Sequence, residues 1–215
     1  MNLTFYTPGG IEGESMRIIQ QELDEMGIIL DPDCADVVRR AIHTTADFDY
    51  AKNLIFTPGA ASAGAAALRS GTPIVTDTNM ARSGINQKAC TQFGVERFCY
   101  MADPEVAQAA KEHGTTRAVA AVDRWAQEHP NAIFAVGNAP TALLRMCELM
   151  EAGKLRPSLV IAVPVGFVNV VESKEAMLDL CRKLKVPAIV AMGRKGGSTV
   201  AAAICNALLY RTFER

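Results

Sequence analysis

No two of the six cysteines stand closer than Cys90 and Cys99, so the chain has no Cys-x-x-Cys pair and neither a zinc nor a thioredoxin spacing. Cys147 and Cys205 sit among apolar neighbours, as free cysteines of a reducing compartment do. There is no His-Glu-x-x-His, no Gly-x-Ser-x-Gly and no clustered His/Cys/Asp set, which removes the common metallo- and serine-hydrolase motifs. No protein-bound metal is expected. Neither a P-loop nor Gly-x-Gly-x-x-Gly occurs, so a dinucleotide has no fingerprint here. The most apolar stretch, residues 159–171, is broken by Pro164, Gly166 and Asn169 and falls short of the roughly 20 residues a membrane span takes. Residues 1–10 show neither a basic region nor a long apolar one, so no signal peptide is expected. Charge of one sign is missing too: 22 Lys and Arg stand against 23 Asp and Glu. That balance argues against a nucleic-acid or membrane partner, while leaving room for an anionic small molecule held by a few local cations. A cytoplasmic protein is expected.

What is present suits one ordinary domain spanning residues 1–215, with 49% hydrophobic and 21% charged residues. Short apolar runs alternate with helical patterns, the signal for a three-layer α/β/α fold around a mostly parallel sheet. Five strands are predicted, at 53–56, 73–76, 132–136, 159–163 and 188–192, most of them rich in Val and Ile as strands covered on both faces are. Asp31-Pro32 and Asp103-Pro104 each read as a helix start, and Gly71, Gly114 and Gly153 as left-handed helix stops. The Ala/Gly-rich stretch 60–67 reads as a small-residue helix packed closely on the sheet.

In such folds the site lies at the carboxyl ends of the strands. Two loops there attract notice: Gly137-Asn138-Ala139-Pro140-Thr141 and Gly193-Arg194-Lys195-Gly196-Gly197-Ser198-Thr199. Each leads into a helix, whose first N–H groups are natural anion donors. From spacing alone, a plain strand–helix turn explains them as well or better. Arg117, Arg194 and Lys195 stand at helix starts, where a cation opposes the helix dipole. Either they swing into solvent or they gather positive potential, and their recurrence favours an anionic ligand. Of the three histidines, His113 and His129 close helices. His43, among small and polar residues at a helix end, is the candidate for proton chemistry, with a structural C-cap as the plain alternative. Asp77 and Glu172 follow strands and serve as acids or bases or, more conservatively, as caps or ligand hydrogen bonds.

Read in order, these segments resemble the precorrin-8X methylmutase family of corrin biosynthesis. The resemblance runs through Ser15 with Ile18-Ile19, His43-Thr44-Thr45-Ala46-Asp47-Phe48-Asp49, Asp77-x-x-Met80-x-x-Gly84 and Thr116-Arg117. It continues in Gly137-Asn138-Ala139-Pro140-Thr141-Ala142-Leu143, Pro164-Val165-Gly166-Phe167-Val168, Glu172-Ser173-Lys174 and Gly193-Arg194-Lys195-Gly196-Gly197-Ser198. The block after His43 is more similar to members working on the cobalt-containing intermediate. Glu14 stands where members often carry Arg.

The resemblance implies an isomerase of cobalamin biosynthesis that moves the ring-C methyl of precorrin-8 from C-11 to C-12. The family's proton-transferring histidine maps onto His43. Substrate contacts map onto Ser15, Asp77, Met80, Arg117, Gly137, Asn138, Thr141, Gly166, Phe167, Glu172, Arg194, Gly196, Gly197 and Ser198. No cofactor is implied, any cobalt being carried by the substrate, and a homodimer binding a corrinoid tetrapyrrole is expected. A non-catalytic tetrapyrrole carrier and an α/β enzyme acting on a phosphorylated small molecule are the alternatives.

Overall fold

The computed structural model describes residues 8–211, and most of residues 1–10, where no signal peptide is expected, lies outside them. Two helices lead in: α1 (Pro8–Glu25), which no end signal announces, and α2 (Ala35–Thr45). The Asp31-Pro32 start is corrected by three residues. Asp31 Oδ1 accepts from Asp33 N–H and its carbonyl from Cys34 N–H, so the first turn is non-helical and α2 begins at Ala35. The short α3 (Tyr50–Asn53) delivers the chain into β1 (Leu54–Phe56), followed by α4 (Ala60–Arg69), β2 (Ile74–Thr76), α5 (Asn79–Gly84) and α6 (Gln87–Gln92). Then come β3 (Arg97–Phe98), α7 (Pro104–Glu112), α8 (Arg117–Glu128), β4 (Ile133–Val136) and α9 (Pro140–Glu151). The chain closes with β5 (Leu159–Ala162), α10 (Val170–Leu184), β6 (Ala188–Ala191) and α11 (Ser198–Tyr210).

The sheet has six strands in the order β1-β6-β5-β4-β2-β3, one more than the sequence predicts. The addition is β3, a two-residue edge strand containing Arg97, too short and too polar to stand out as an apolar run. All neighbours are parallel except β1, which pairs antiparallel with β6 (Leu54 opposite Ala191, Phe56 opposite Ile189). Successive residues of the central strands feed opposite faces. Ile133, Ala135, Leu159 and Ile161 join the core under α1, α2, α4 and α11. Phe134, Val136, Val160 and Ala162 join the core under α8, α9 and α10. The stretch 60–67 packs as tightly as its composition implies: a Cβ on Gly64 would stand 2.7 Å from Leu159 Cδ2. The three helix stops hold, with φ of 76° at Gly71, 60° at Gly114 and 69° at Gly153.

Five parallel strands end on one edge, opening into the segments after Thr76, Phe98, Val136, Ala162 and Ala191. Because β1 runs the other way, its entry from α3 lies at that same edge, where Met192 N–H donates to the Asn53 carbonyl. The turns carrying Thr57 and Pro187 lie at the opposite edge, beside a cleft of about 470 Å³ lined by Thr57, Pro58, Arg182 and Pro187. No helix among the described residues is long and apolar enough to cross a membrane.

Candidate active site

Asp77 leaves β2 and turns inward. One of its carboxylate oxygens accepts from Gly137 N–H (2.8 Å) and the other from Asn138 N–H (2.8 Å) and Ala139 N–H (2.7 Å). Burial pushes its carboxyl pKa up, against the pull of those three N–H groups. This corrects two sequence expectations. Asp77, 1% exposed, is an internal acceptor rather than a group facing a ligand, and the N–H groups of the 137–139 loop are already taken by it. What that loop still offers is the exposed Asn138 side chain and, at the start of α9, Thr141. Thr141 Oγ1 lies 3.4 Å from Thr116 Oγ1, the residue whose hydroxyl caps α8 by accepting from Val119 N–H. That pair brings Arg117, exposed at the first position of α8, to the same edge.

The segments after β5 and β6 are built as a unit. Gly197 N–H donates to the Val163 carbonyl (2.8 Å) and Gly166 N–H to the Arg194 carbonyl (3.2 Å). Gly196 has φ 158°, and a Cβ there would come within 2.1 Å of Val163 O, so only glycine permits this approach. Beneath them Lys174 of α10, fully buried, donates from Nζ to the carbonyls of Gly193 and Lys195, each at 2.8 Å. Desolvation lowers its pKa to about 8. The first-turn N–H groups of α11, residues 198–200, have no acceptor within their own helix, as at any helix start. Ser198 sits there, its Oγ 2.7 Å from Thr78 Oγ1.

Arg194 and Lys195 have different fates. The Arg194 guanidinium is exposed and lies 5.3 Å from the Phe167 ring centroid, a cation–π contact. Lys195, read from the sequence as a further cation for a ligand, is instead engaged by Asp47 Oδ2 (2.6 Å) and Asp49 Oδ2 (2.5 Å), which raise its pKa. The correction has a structural use: those carboxylates follow His43, so the pair ties the end of α2 to the β6–α11 segment. His43 stands in the last turn of α2 with an exposed side chain that has no hydrogen-bond partner among the described residues. It is not the C-cap. Ala46 is, in the left-handed conformation with its N–H on the Ile42 carbonyl.

Ser15 is half-buried on α1, one turn after Glu12, whose carboxylate pairs with Arg40 at 2.6 Å. Arg40 lies one turn before His43 on α2. Glu14 is paired with Arg17 on its own helix. Glu172 is exposed in the first turn of α10, a position the helix dipole favours for an acid. Around these polar groups three large apolar side chains face outward: Met80 (67% exposed), Phe167 (81%) and Val168 (78%). The arrangement thus offers exposed apolar side chains, two cations without an ion pair among the described residues, a helix start and one free imidazole. Such a surface suits a large, flat, acid-rimmed ligand. Among the described residues no three His, Cys, Asp or Glu side chains are grouped to hold a metal ion.

Sequence reasoning missed the connecting roles of Lys174, Lys195, Asp47 and Asp49. All four stand within the quoted motifs, but their roles depend on partners 19 to 148 positions away.

Comparison with known proteins finds relatives along nearly the whole chain. The family model for precorrin-8X methylmutase matches residues 10–211. A cobalt-precorrin-8 methylmutase of Priestia megaterium is 41% identical over 201 residues, covering 94% of this chain and 87% of its own. One from Salmonella typhimurium is 49% identical over 179 residues, covering 83% and 81%. The crystal structure of a precorrin-8X methyl mutase from Thermus thermophilus superposes with a TM-score of 0.83 at 42% identity, over 93% of this chain and 96% of that one.

Proposed function

This chain belongs to the precorrin-8X methylmutase family, isomerases of cobalamin biosynthesis, and on that premise we propose that it carries out the C-11 to C-12 methyl shift of a cobalt-bearing precorrin-8 at the carboxyl edge of its sheet. The free imidazole of His43, held at that edge by the Lys195–Asp47–Asp49 pairing, is the observation that carries this assignment. In the shift the methyl bond to C-11 breaks, the bond to C-12 forms, and the ring's π electrons rearrange. No atom is gained or lost. The protein's task is to enforce the conformation and to lend one proton to the conjugated ring nitrogens, which His43 donates and afterwards recovers.

The remaining groups divide by chemistry. Arg117 and Arg194 pair with rim carboxylates, aided by the open N–H groups at the start of α11. Met80, Phe167 and Val168 lie against the apolar face of the macrocycle. Ser15 and Asn138 supply neutral hydrogen bonds, with Thr141, Glu172 and Ser198 at the margin. Asp77, Gly137, Gly166, Gly196 and Gly197 shape the backbone rather than touch the ligand through side chains. A cofactor has no part in this scheme, cobalt arriving within the substrate. The names of the Priestia and Salmonella relatives support the cobalt-bearing form. We also read the whole chain, residues 1–215, as one catalytic unit, cytoplasmic and homodimeric. Six free cysteines support the compartment, and the outward Met80, Phe167 and Val168 support a second copy closing over the ligand.

The test is turnover of cobalt-precorrin-8 against metal-free precorrin-8, followed by visible absorbance. Conversion of both, faster for the cobalt form, is expected. Conversion of neither would remove the assignment, and exclusive use of the metal-free ring would reverse the substrate choice.

A further inference from the structure

Lys174 has no exposed surface and, among the described residues, no carboxylate bonded to it, an arrangement in which an ammonium is costly to bury. Its two acceptors are backbone carbonyls of one loop, Gly193 and Lys195, and they flank a single residue, Arg194. While those two carbonyls meet the ammonium, the carbonyl of Arg194 is engaged elsewhere, by Gly166 N–H. The Arg194 guanidinium lies over Phe167. The second clamped residue, Lys195, sends its own side chain to Asp47 and Asp49. One buried ammonium thus fixes the backbone on both sides of an exposed cation. A side chain kept only to fill space would need no charge, and Met would occupy the same volume without the desolvation.

From this geometry, and resting on the assignment of Arg194 to a substrate carboxylate, we propose that Lys174 is a positioning residue: it clamps residues 193–195 so that Arg194 is presented to the substrate. Lys174 itself, being buried, touches no ligand.

The test is a double-mutant cycle read by equilibrium titration of the purified protein with cobyrinic acid, the reaction product. Arg194→Ala is expected to weaken binding roughly tenfold, the scale of one charge-assisted contact. Lys174→Met should weaken it by a similar factor. The double variant should be within about twofold of Arg194→Ala alone, because a residue acting through Arg194 has nothing left to act on. Losses that multiply in the double variant, or unchanged affinity in Lys174→Met, would overturn the positioning role while leaving Arg194 as anchor. Normal affinity in Arg194→Ala would remove the anchor and the positioning role together. Should Lys174→Met not fold, Lys174→Gln, whose amide still reaches one carbonyl, carries the same cycle. A smaller loss, again absent in the Arg194→Ala background, is expected of it, and a loss persisting in that background would overturn the proposal.

Discussion

Asp77 and Lys174 are the two charged side chains with essentially no exposed surface among the described residues, and each holds one loop of the same sheet edge. Asp77 ties down residues 137–139 from below, and Lys174 ties down residues 193–195. Burial of Lys174 has a measurable consequence. Its folded pKa of about 8 lies below the ordinary lysine value of 10.5, so between those limits the unfolded chain holds a proton that the folded chain has lost. Stability carried by this group is therefore fully present above the upper limit and lost as pH falls through the lower one. Urea unfolding of the wild type and Lys174→Met should show a difference that moves in favour of the wild type as pH rises from 8 to 10.5. The slope should approach about 1.4 kcal/mol per pH unit at its steepest. A pH-independent difference would mean that Lys174 titrates normally. At this scale the sequence names residues well and their directions poorly. A carboxylate after a strand reads the same whether it faces a ligand or, as with Asp77, its neighbour's backbone. The pairing of Lys195 with Asp47 and Asp49 joins residues nearly 150 positions apart, a distance no local pattern spans.

The β5–α10 and β6–α11 connections are the elements on which the site depends, and their glycines are not equivalent. Both Gly196 and Gly197 hold φ values that strain other residues, 158° and 132°. A Cβ on Gly196 would also strike Val163 O at 2.1 Å, whereas one on Gly197 meets nothing nearer than 3.9 Å. Gly196→Ala should therefore spread the two loops and weaken cobyrinic acid binding by roughly tenfold or more, while Gly197→Ala, bearing the dihedral strain alone, loses less. Circular dichroism and the same titration check this, and equal losses in the two variants would contradict the close approach at Gly196. Strands of this kind are legible because apolar runs bounded by turn residues mark them, and five of the six stand where expected. The sixth, β3, owes its place to an edge pairing with β2 that a two-residue segment bearing Arg97 does not advertise. Helix α1 went unannounced because its start carries Gly9, Gly10 and Gly13 in place of a cap followed by good helix formers.

At the scale of the whole molecule, five parallel strand ends and one reversed strand converge on a single edge, where the proposed site lies. The antiparallel β1 matters most for function. By running against β6 it places the α2–α3 segment beside the β6–α11 loop, within reach of the Lys195 bridge. The phosphate alternative finds less support in this arrangement, because one of its two supposed anion cradles is filled by Asp77. In the mechanism proposed, a proton from His43 at that edge drives the methyl shift. Single-turnover conversion of cobalt-precorrin-8 by His43→Asn, at matched folded concentration and with product affinity measured alongside, tests it most directly. Asn keeps a hydrogen-bonding group of similar reach without a titratable proton. Product affinity should be retained while the rate falls by roughly 10²–10⁴, the worth of a positioned acid. A near-normal rate in His43→Asn would contradict the account and leave enforced conformation as the whole of the catalysis.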